Sequence, residues 1–326
     1  MSSNHDQTSM IRTSKSDPMI HRYAKNPILT PDDVPYPVST VHNAAVVQYE
    51  GRYIMLFRAH LHNGRSVIGI AESDDGFHFS VRSRPWLTPA DEGEFAEYEA
   101  FGVEDPRICR MDDAYYITYS AYSSHGVRIA LAKTHDFINV ERIALITEAD
   151  MRNVVLFPRR FDGRYVRLDR PHGDIAPWSI WMSSSPDLIH WGESRRLIAP
   201  MPYHWDEMKI GPGATPFATS RGWLSIYHGV FETMNGAVYR LGVALHALDD
   251  PARILGVADD WILEPEAPWE RSGYVPNVVF CCSAVPEDDG TVKIYWGAAD
   301  TVMCAGTASI EALVDMCLQR GRPPLL

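Results

Sequence analysis

Charged and amide side chains interrupt apolar strand-like segments at recurring points of this 326-residue chain. The most marked case is FGVEDPRI, residues 101–108, where Glu104 and Asp105 precede Pro106 and Arg107. Proline removes a backbone donor and biases the preceding residue towards extended backbone. Arg107 stands close enough to steady the carboxylate region, although an Asp-Pro turn would have the same local pattern. A second set is cationic: Arg152 before Asn153, Arg170 in LDRP, Lys209 in WDEMKIGPGATP, with His228 in IYHGV and Tyr239 in AVYRLG. Forked guanidinium donors, a point charge and neutral donors together suit an oxyanion cradle. Taken singly each has a plainer use, such as a surface ion pair for Arg152. Gly211 and Gly213 of KIGPGATP would allow close backbone approach to a ligand. Their spacing is not that of a GxxxxGK[ST] phosphate loop.

These residues must be positioned by a repeat. An apolar strand, a turn and a strand rich in β-branched and aromatic residues recur five times. The second strands begin at Gly51, Asp113, Gly163, Arg221 and Gly290, spaced by roughly 50 to 70 residues. Third strands follow, the last and least clear being CAGTASIEAL, and three of them run into SDDGFHF, THDFINV and SPDLIHW. Asn43, Glu104 with Asp105, Asn153 and Asn277 fall at the starts of the first strands; Arg58, Arg170, His228 and Asp300 fall near the ends of the second. Charge inside an apolar strand is costly unless paired or used. Its recurrence at equivalent points predicts one shared funnel, lined by the innermost strands of a five-bladed β-propeller. A two-sheet sandwich would explain the strands but not the five similar units.

The rest of the composition sets limits. The 45% hydrophobic content supports a large core, and residues 21–326 are expected to form one domain behind a polar, disordered tail over residues 1–20. Net charge of −12 argues against a nucleic-acid partner but not against one phosphate ion. No apolar run approaches the roughly 20 residues of a membrane helix, and the N-terminus lacks a signal-peptide core. Five cysteines (109, 281, 282, 304, 317) without CxxC spacing suggest buried thiols in a reducing cytoplasm rather than disulfides or a metal site.

The motifs KNPILTP, GVEDPRI, NVVLFPRRFDGRYVRLDRP, KIGPGATP, GWLSIYHGV, YRLGVALHALDDP, GYVPNVVF and YWGAAD occur in the order found in glycoside hydrolase family 130, which the chain resembles from about Asn26 to about Thr301. The resemblance implies a five-bladed propeller acting as an inverting β-mannoside phosphorylase. Asp105 would be the general acid. Arg152, Asn153, Arg170, Lys209, His228 and Tyr239 would hold phosphate, and Asn43, Arg58 and Asp300 the mannose. Inorganic phosphate would be a co-substrate and no cofactor is implied. The branch most resembled acts on β-1,4-mannosyl-N-acetylglucosamine units or β-1,2-mannosides. Thr215-Pro216 replaces the family's usual Pro-Pro, and Cys281-Cys282 is unexpected in its strand. An inverting hydrolase needs two carboxylates, whereas phosphorolysis needs one acid and an anion site. The single marked Asp and the cation set favour phosphorolysis over the alternatives, a hydrolase or a non-catalytic sugar-binding propeller. Residues 85–100 and 200–208 are expected to contact the leaving sugar, with 91–100 a solvated loop or a lid. Linkage, acceptor and any homo-oligomer stay open.

Overall fold

The computed structural model describes residues 18–173 and 176–325. It is an all-β fold of sequential antiparallel units. The first unit has strands Val38–Tyr49, Arg52–Leu61, Ser66–Ser73 and Ser80–Val81. The second has Gly102–Met111, Ala114–Ser123, Gly126–Thr134 and Glu141–Leu145, and meets the first by one parallel bridge, Ser66 to Gly102. The third has Met151–Leu156, Tyr165–Pro171, Ile180–Ser185 and Gly192–Ile198. In the fourth, the first strand is split into Lys209–Pro212 and Phe217–Thr219, ahead of Gly222–Thr233, Gly236–His246 and Ile254–Ala258. The fifth has Val279–Pro286, Thr291–Ala298 and Val302–Ser309, and its outer strand is His21–Arg22 from the other end of the chain.

Burial explains the arrangement. Each hydrophobic cluster lies between consecutive units. Leu56 and Ile68 pack with Ile117 and Tyr119, Leu131 with Leu156, Leu168 with Ile210 and Trp223, and Ile226 with Trp296. The fifth cluster joins Tyr295 and Met303 to Met55 and Phe57, so the last unit packs on the first. A sheet that is apolar on both faces needs such a neighbour on each side.

The first strands carry a repeated irregularity. Between His42 and Ala45, Glu104 and Arg107, and Arg152 and Val155, three steps along the first strand oppose two along its partner. Each is a one-residue β-bulge, and each contains an Asn or Asp in the left-handed region: Asn43 (φ 49°), Asp105 (φ 51°) and Asn153 (φ 59°). Short polar side chains tolerate that backbone best among non-glycine residues. Pro106 fits because a bulge relieves it of a ladder donor.

Three expectations need correction. The tail over residues 1–20 falls largely outside the described residues, but Ile20 is buried in the core and residues 18–20 are no tail. The segment CAGTASIEAL is a strand only to Ser309; Ile310–Gln319 is an α-helix capped by the Ser309 hydroxyl, which accepts from the Ala312 N–H. Its Leu313, Val314 and Cys317 enter the core, and the Cys317 carbonyl packs so tightly over Gly256 that a Cβ there would lie 2.1 Å away. The acidic stretch 91–100 holds a short helix, Glu94–Tyr98, and ends on buried Glu99, which accepts from the Tyr119 hydroxyl (2.6 Å) and from Arg142.

Candidate active site

All five units line one cavity of about 260 Å³. Asn43, Arg58, Asp105 and Asp300 contribute from the first, second and fifth units, and Arg152, Asn153, Arg170, Lys209, His228 and Tyr239 from the third and fourth. The structure therefore brings together the ten residues expected to serve as acid or to hold phosphate or mannose, but not Asn277. His172, Val275, Val278 and Phe280 complete the lining.

The carboxylate side is tightly bonded. Asp105 Oδ1 accepts from Asn43 Nδ2 (2.9 Å) and Arg58 Nη1 (3.1 Å). Arg58 also donates to Glu104 Oε1 (2.7 Å) and to Ser66 Oγ, which itself donates to Glu104. Burial pushes the Asp105 carboxyl up, but Arg58, Arg107 and the Asn43 hydrogen bond outweigh it and hold the group well below the usual carboxylate range. Asp300 behaves oppositely. Burial, then the charge on Asp105, push it up to about 6 against the pull of Arg58. It stands in the turn after Thr291–Ala298, where Ala299 and Asp300 both have positive φ.

The other side carries positive charge with no carboxylate in direct contact among the described residues. Arg152 and Arg170 are direct cross-strand partners, a like-charge pairing that costs stability by itself. Neither they nor Lys209 forms an ion pair with a carboxylate among the described residues. Burial, with repulsion from Arg152 and Arg107 partly opposed by Tyr239, pushes Arg170 down to about 10, so it stays charged at neutral pH. Its Nε has no hydrogen-bond partner among the described residues. Lys209, Val230 and Tyr239 form one cross-strand row, with Lys209 Nζ 5.1 Å from the centre of the Tyr239 ring. His228 is fully buried with both ring nitrogens unpartnered; burial, then Arg170, Lys209 and Arg107, push it well below the usual imidazole range, so it is neutral. Buried donors without partners beside cations without an ion pair are chemically suited to a small anion.

The glycines of KIGPGATP act differently from the expectation. A Cβ on Gly211 would lie 2.6 Å from the His228 ring and 3.0 Å from Asn153 Nδ2; one on Gly213 would strike the Ile226 and Cys281 carbonyls. They make room for protein atoms rather than for a ligand's approach. Gly297 does the same for Asn43, whose Oδ1 would be 2.5 Å from a Cβ. Asn277 shares the left-handed backbone (φ 59°) but lies outside the cavity lining, its carbonyl accepting from the Tyr239 N–H. Sequence reading missed His172, which stacks on Trp178 at 5.2 Å, and Phe280, 4.7 Å from the His228 ring. His172 is two residues beyond Arg170, the strand period that puts side chains on one face, and that spacing was the available signal. Thr215 at the Pro-Pro departure donates to the Ile108 carbonyl, and Cys281 and Cys282 are buried free thiols raised by burial.

The fold and the cavity define an all-β protein with a cation-lined pocket at the meeting point of its strand units. Within that class, the chain belongs to glycoside hydrolase family 130: the family model described as beta-1,4-mannooligosaccharide phosphorylase matches residues 8–319. The beta-1,2-mannobiose phosphorylase of Listeria innocua is 32% identical over 90% of this chain and 97% of its own length. Its solved complex with beta-1,2-mannobiose superposes with a TM-score of 0.84 over 91% of this chain and 99% of that one. The beta-1,4-mannooligosaccharide phosphorylase of Ruminococcus albus is 33% identical over 91% of this chain and 90% of its own.

Proposed function

We propose that this protein cleaves β-mannosides with inorganic phosphate, inverting the anomeric centre to release α-mannose 1-phosphate. The observation that carries the reading is the cation cluster of Arg152, Arg170 and Lys209, unpaired with any carboxylate in the described structure and lined up with unsatisfied donors of Arg170 and His228. Asn153 and Tyr239 complete the phosphate site; Asn43, Arg58 and Asp300 hold the transferred mannose. A phosphate oxygen forms the bond to the anomeric carbon as the bond to the departing sugar oxygen breaks. The proton on that oxygen comes from Asp105, relayed through a hydroxyl of the mannose as the family resemblance implies. Arg58, Arg107 and the Asn43 hydrogen bond favour the ionised form of Asp105, so its proton must arrive with the substrates. Seating a phosphate anion brings negative charge towards Asp105 and raises its affinity for that proton. Preorganised cations make the approach of phosphate to the sugar less costly.

Water as nucleophile would need a base to activate it. The second carboxylate of the cavity, Asp300, responds to the charges of Asp105, Arg58 and Glu104 rather than to Arg152, Arg170 or Lys209, which supports phosphate over water. One observation favours a second assignment of the acid. Asp300, raised to about 6, holds a proton more readily than Asp105. The sequential units, each cluster shared by neighbours and the last unit packed on the first, support a five-bladed propeller formed by residues 21–326 as a single catalytic domain. A cytoplasmic site of action is supported by five buried, free cysteines. The test incubates β-1,2- and β-1,4-linked mannobiose and mannosyl-N-acetylglucosamine with phosphate and wild type, Asp105→Asn or Asp300→Asn. Loss of sugar-phosphate formation in the Asp105 variant, with residual turnover in the Asp300 variant, supports the assignment; the reverse pattern transfers the acid role to Asp300.

A further inference from the structure

Arg107 is buried, yet it makes no ion pair among the described residues and lies outside the cavity lining. A buried cation without a counter-ion is expensive, so its contacts must justify it. They reach four units. Nε donates to the Gly213 carbonyl (2.9 Å), Nη1 to the Asp105 carbonyl (3.0 Å) and Nη2 to Asn153 Oδ1 (3.3 Å), while the guanidinium lies 5.9 Å from the centre of the Phe280 ring. Two of these contacts fall on left-handed bulge residues. Binding the Asp105 carbonyl helps fix a backbone that an aspartate adopts only at a cost. Binding Asn153 Oδ1 fixes which end of the amide faces away from Arg107, leaving Nδ2 beside the His228 ring over Gly211. Lysine, a point charge without a rigid fork, cannot satisfy three acceptors in these directions at once.

We infer that Arg107 is the positioning residue that fixes the Asp105 bulge and the Asn153 amide together, so that acid and anion site share one register. The inference rests on the phosphorylase reading for the roles of those two groups. Its field also depresses both Asp105 and His228.

The test compares wild type with Arg107→Lys and Arg107→Met, on β-1,2-mannobiose and on 4-nitrophenyl β-mannoside, with inorganic phosphate varied and folding followed by circular dichroism. In a folded variant the apparent phosphate constant should rise about 10- to 100-fold, the range for a hydrogen bond to a charged group. In the same variant kcat should fall further on mannobiose than on the nitrophenyl substrate, whose leaving group needs no proton. A purely structural role would lower thermal stability and move neither quantity, and that result overturns the inference. Movement of only one overturns the claim that the two are set jointly. If both variants fail to fold, Asn153→Ala tests the anion arm with Arg107 intact: the phosphate constant should rise by a similar factor with the leaving-group dependence unchanged, and an unaltered phosphate constant overturns the inference. Wild-type release indifferent to phosphate would count against the phosphorylase reading instead, and the leaving-group comparison would still read the Asp105 arm.

Discussion

Two aspartates in one cavity are driven apart by their surroundings. Asp105, bonded by Asn43 and Arg58, is ionised; Asp300, buried beside that charge, is raised to about 6. The difference has a signed consequence. Asp300 has a folded-state pKa above its ordinary 3.8, so the folded protein binds more protons than the unfolded chain between about pH 4 and pH 6. Stability from this group is fully present below that window and is lost as pH rises through it, by on the order of 3 kcal/mol. Asp300→Asn should therefore raise the thermal midpoint relative to wild type at pH 8 and lose that advantage by pH 4. Midpoints across that range check it, and a pH-independent difference contradicts it. At Asp105, replacement by Asn should leave the fold intact and lower turnover by about 100- to 10,000-fold, measured as initial rate of sugar-phosphate formation; near-normal turnover would remove Asp105 from the chemistry. The cations are separable from both. Lys209→Ala or Arg170→Ala should weaken phosphate use roughly 30- to several-thousand-fold, with little effect on mannoside binding without phosphate, as read by titration calorimetry.

The bulged first strand is the element that aims these groups. At His42–Ala45, Glu104–Arg107 and Arg152–Val155 one extra residue turns an Asn or Asp out of the ladder at the same point of successive units. The sequence carried half of this. Polar residues at equivalent places in four of the five first strands were visible, and the ten residues expected to serve as acid or to hold phosphate or mannose line the cavity. The bulges were not visible, because a register shift depends on the partner strand. For the same reason Asn277, alike in sequence and in backbone, was not separable from Asn43 until its carbonyl was found bonded to Tyr239. The helix Ile310–Gln319 was hidden because it follows the strand Val302–Ser309 directly, with no turn residues between them, although its apolar spacing at Leu313, Met316 and Cys317 is helical. In the fourth unit the first strand is split after Pro212 and glycines flank the break, which gives a test at this scale. Gly211→Ala would drive a methyl into His228 and Asn153 Nδ2. It should cost about 1–3 kcal/mol of stability, as overpacking does, and raise the phosphate constant; denaturant unfolding and rates against phosphate measure the two. An alanine variant that keeps both values contradicts the packing account.

Over the whole molecule, the first and last units meet both at the cavity and through a shared hydrophobic cluster. The outer strand of the last unit comes from His21–Arg22, and Arg22 bonds Glu270, which also accepts from Trp296. That closure was not legible, since residues 1–20 read as a tail and nothing in the local sequence pointed His21 and Arg22 to partners about 280 residues away. The net charge of −12 hides a local cation cluster, which is why composition alone excluded nucleic acid but not one anion. The account stands or falls on whether that cluster serves a reacting phosphate. The direct measurement is release of sugar from β-1,2- and β-1,4-linked mannobiose by the wild-type chain against phosphate concentration, with products identified by phosphorus and proton NMR. The account predicts release that saturates with phosphate, vanishes without it, and yields α-mannose 1-phosphate in equal amount. Free mannose formed at a rate indifferent to phosphate would contradict it.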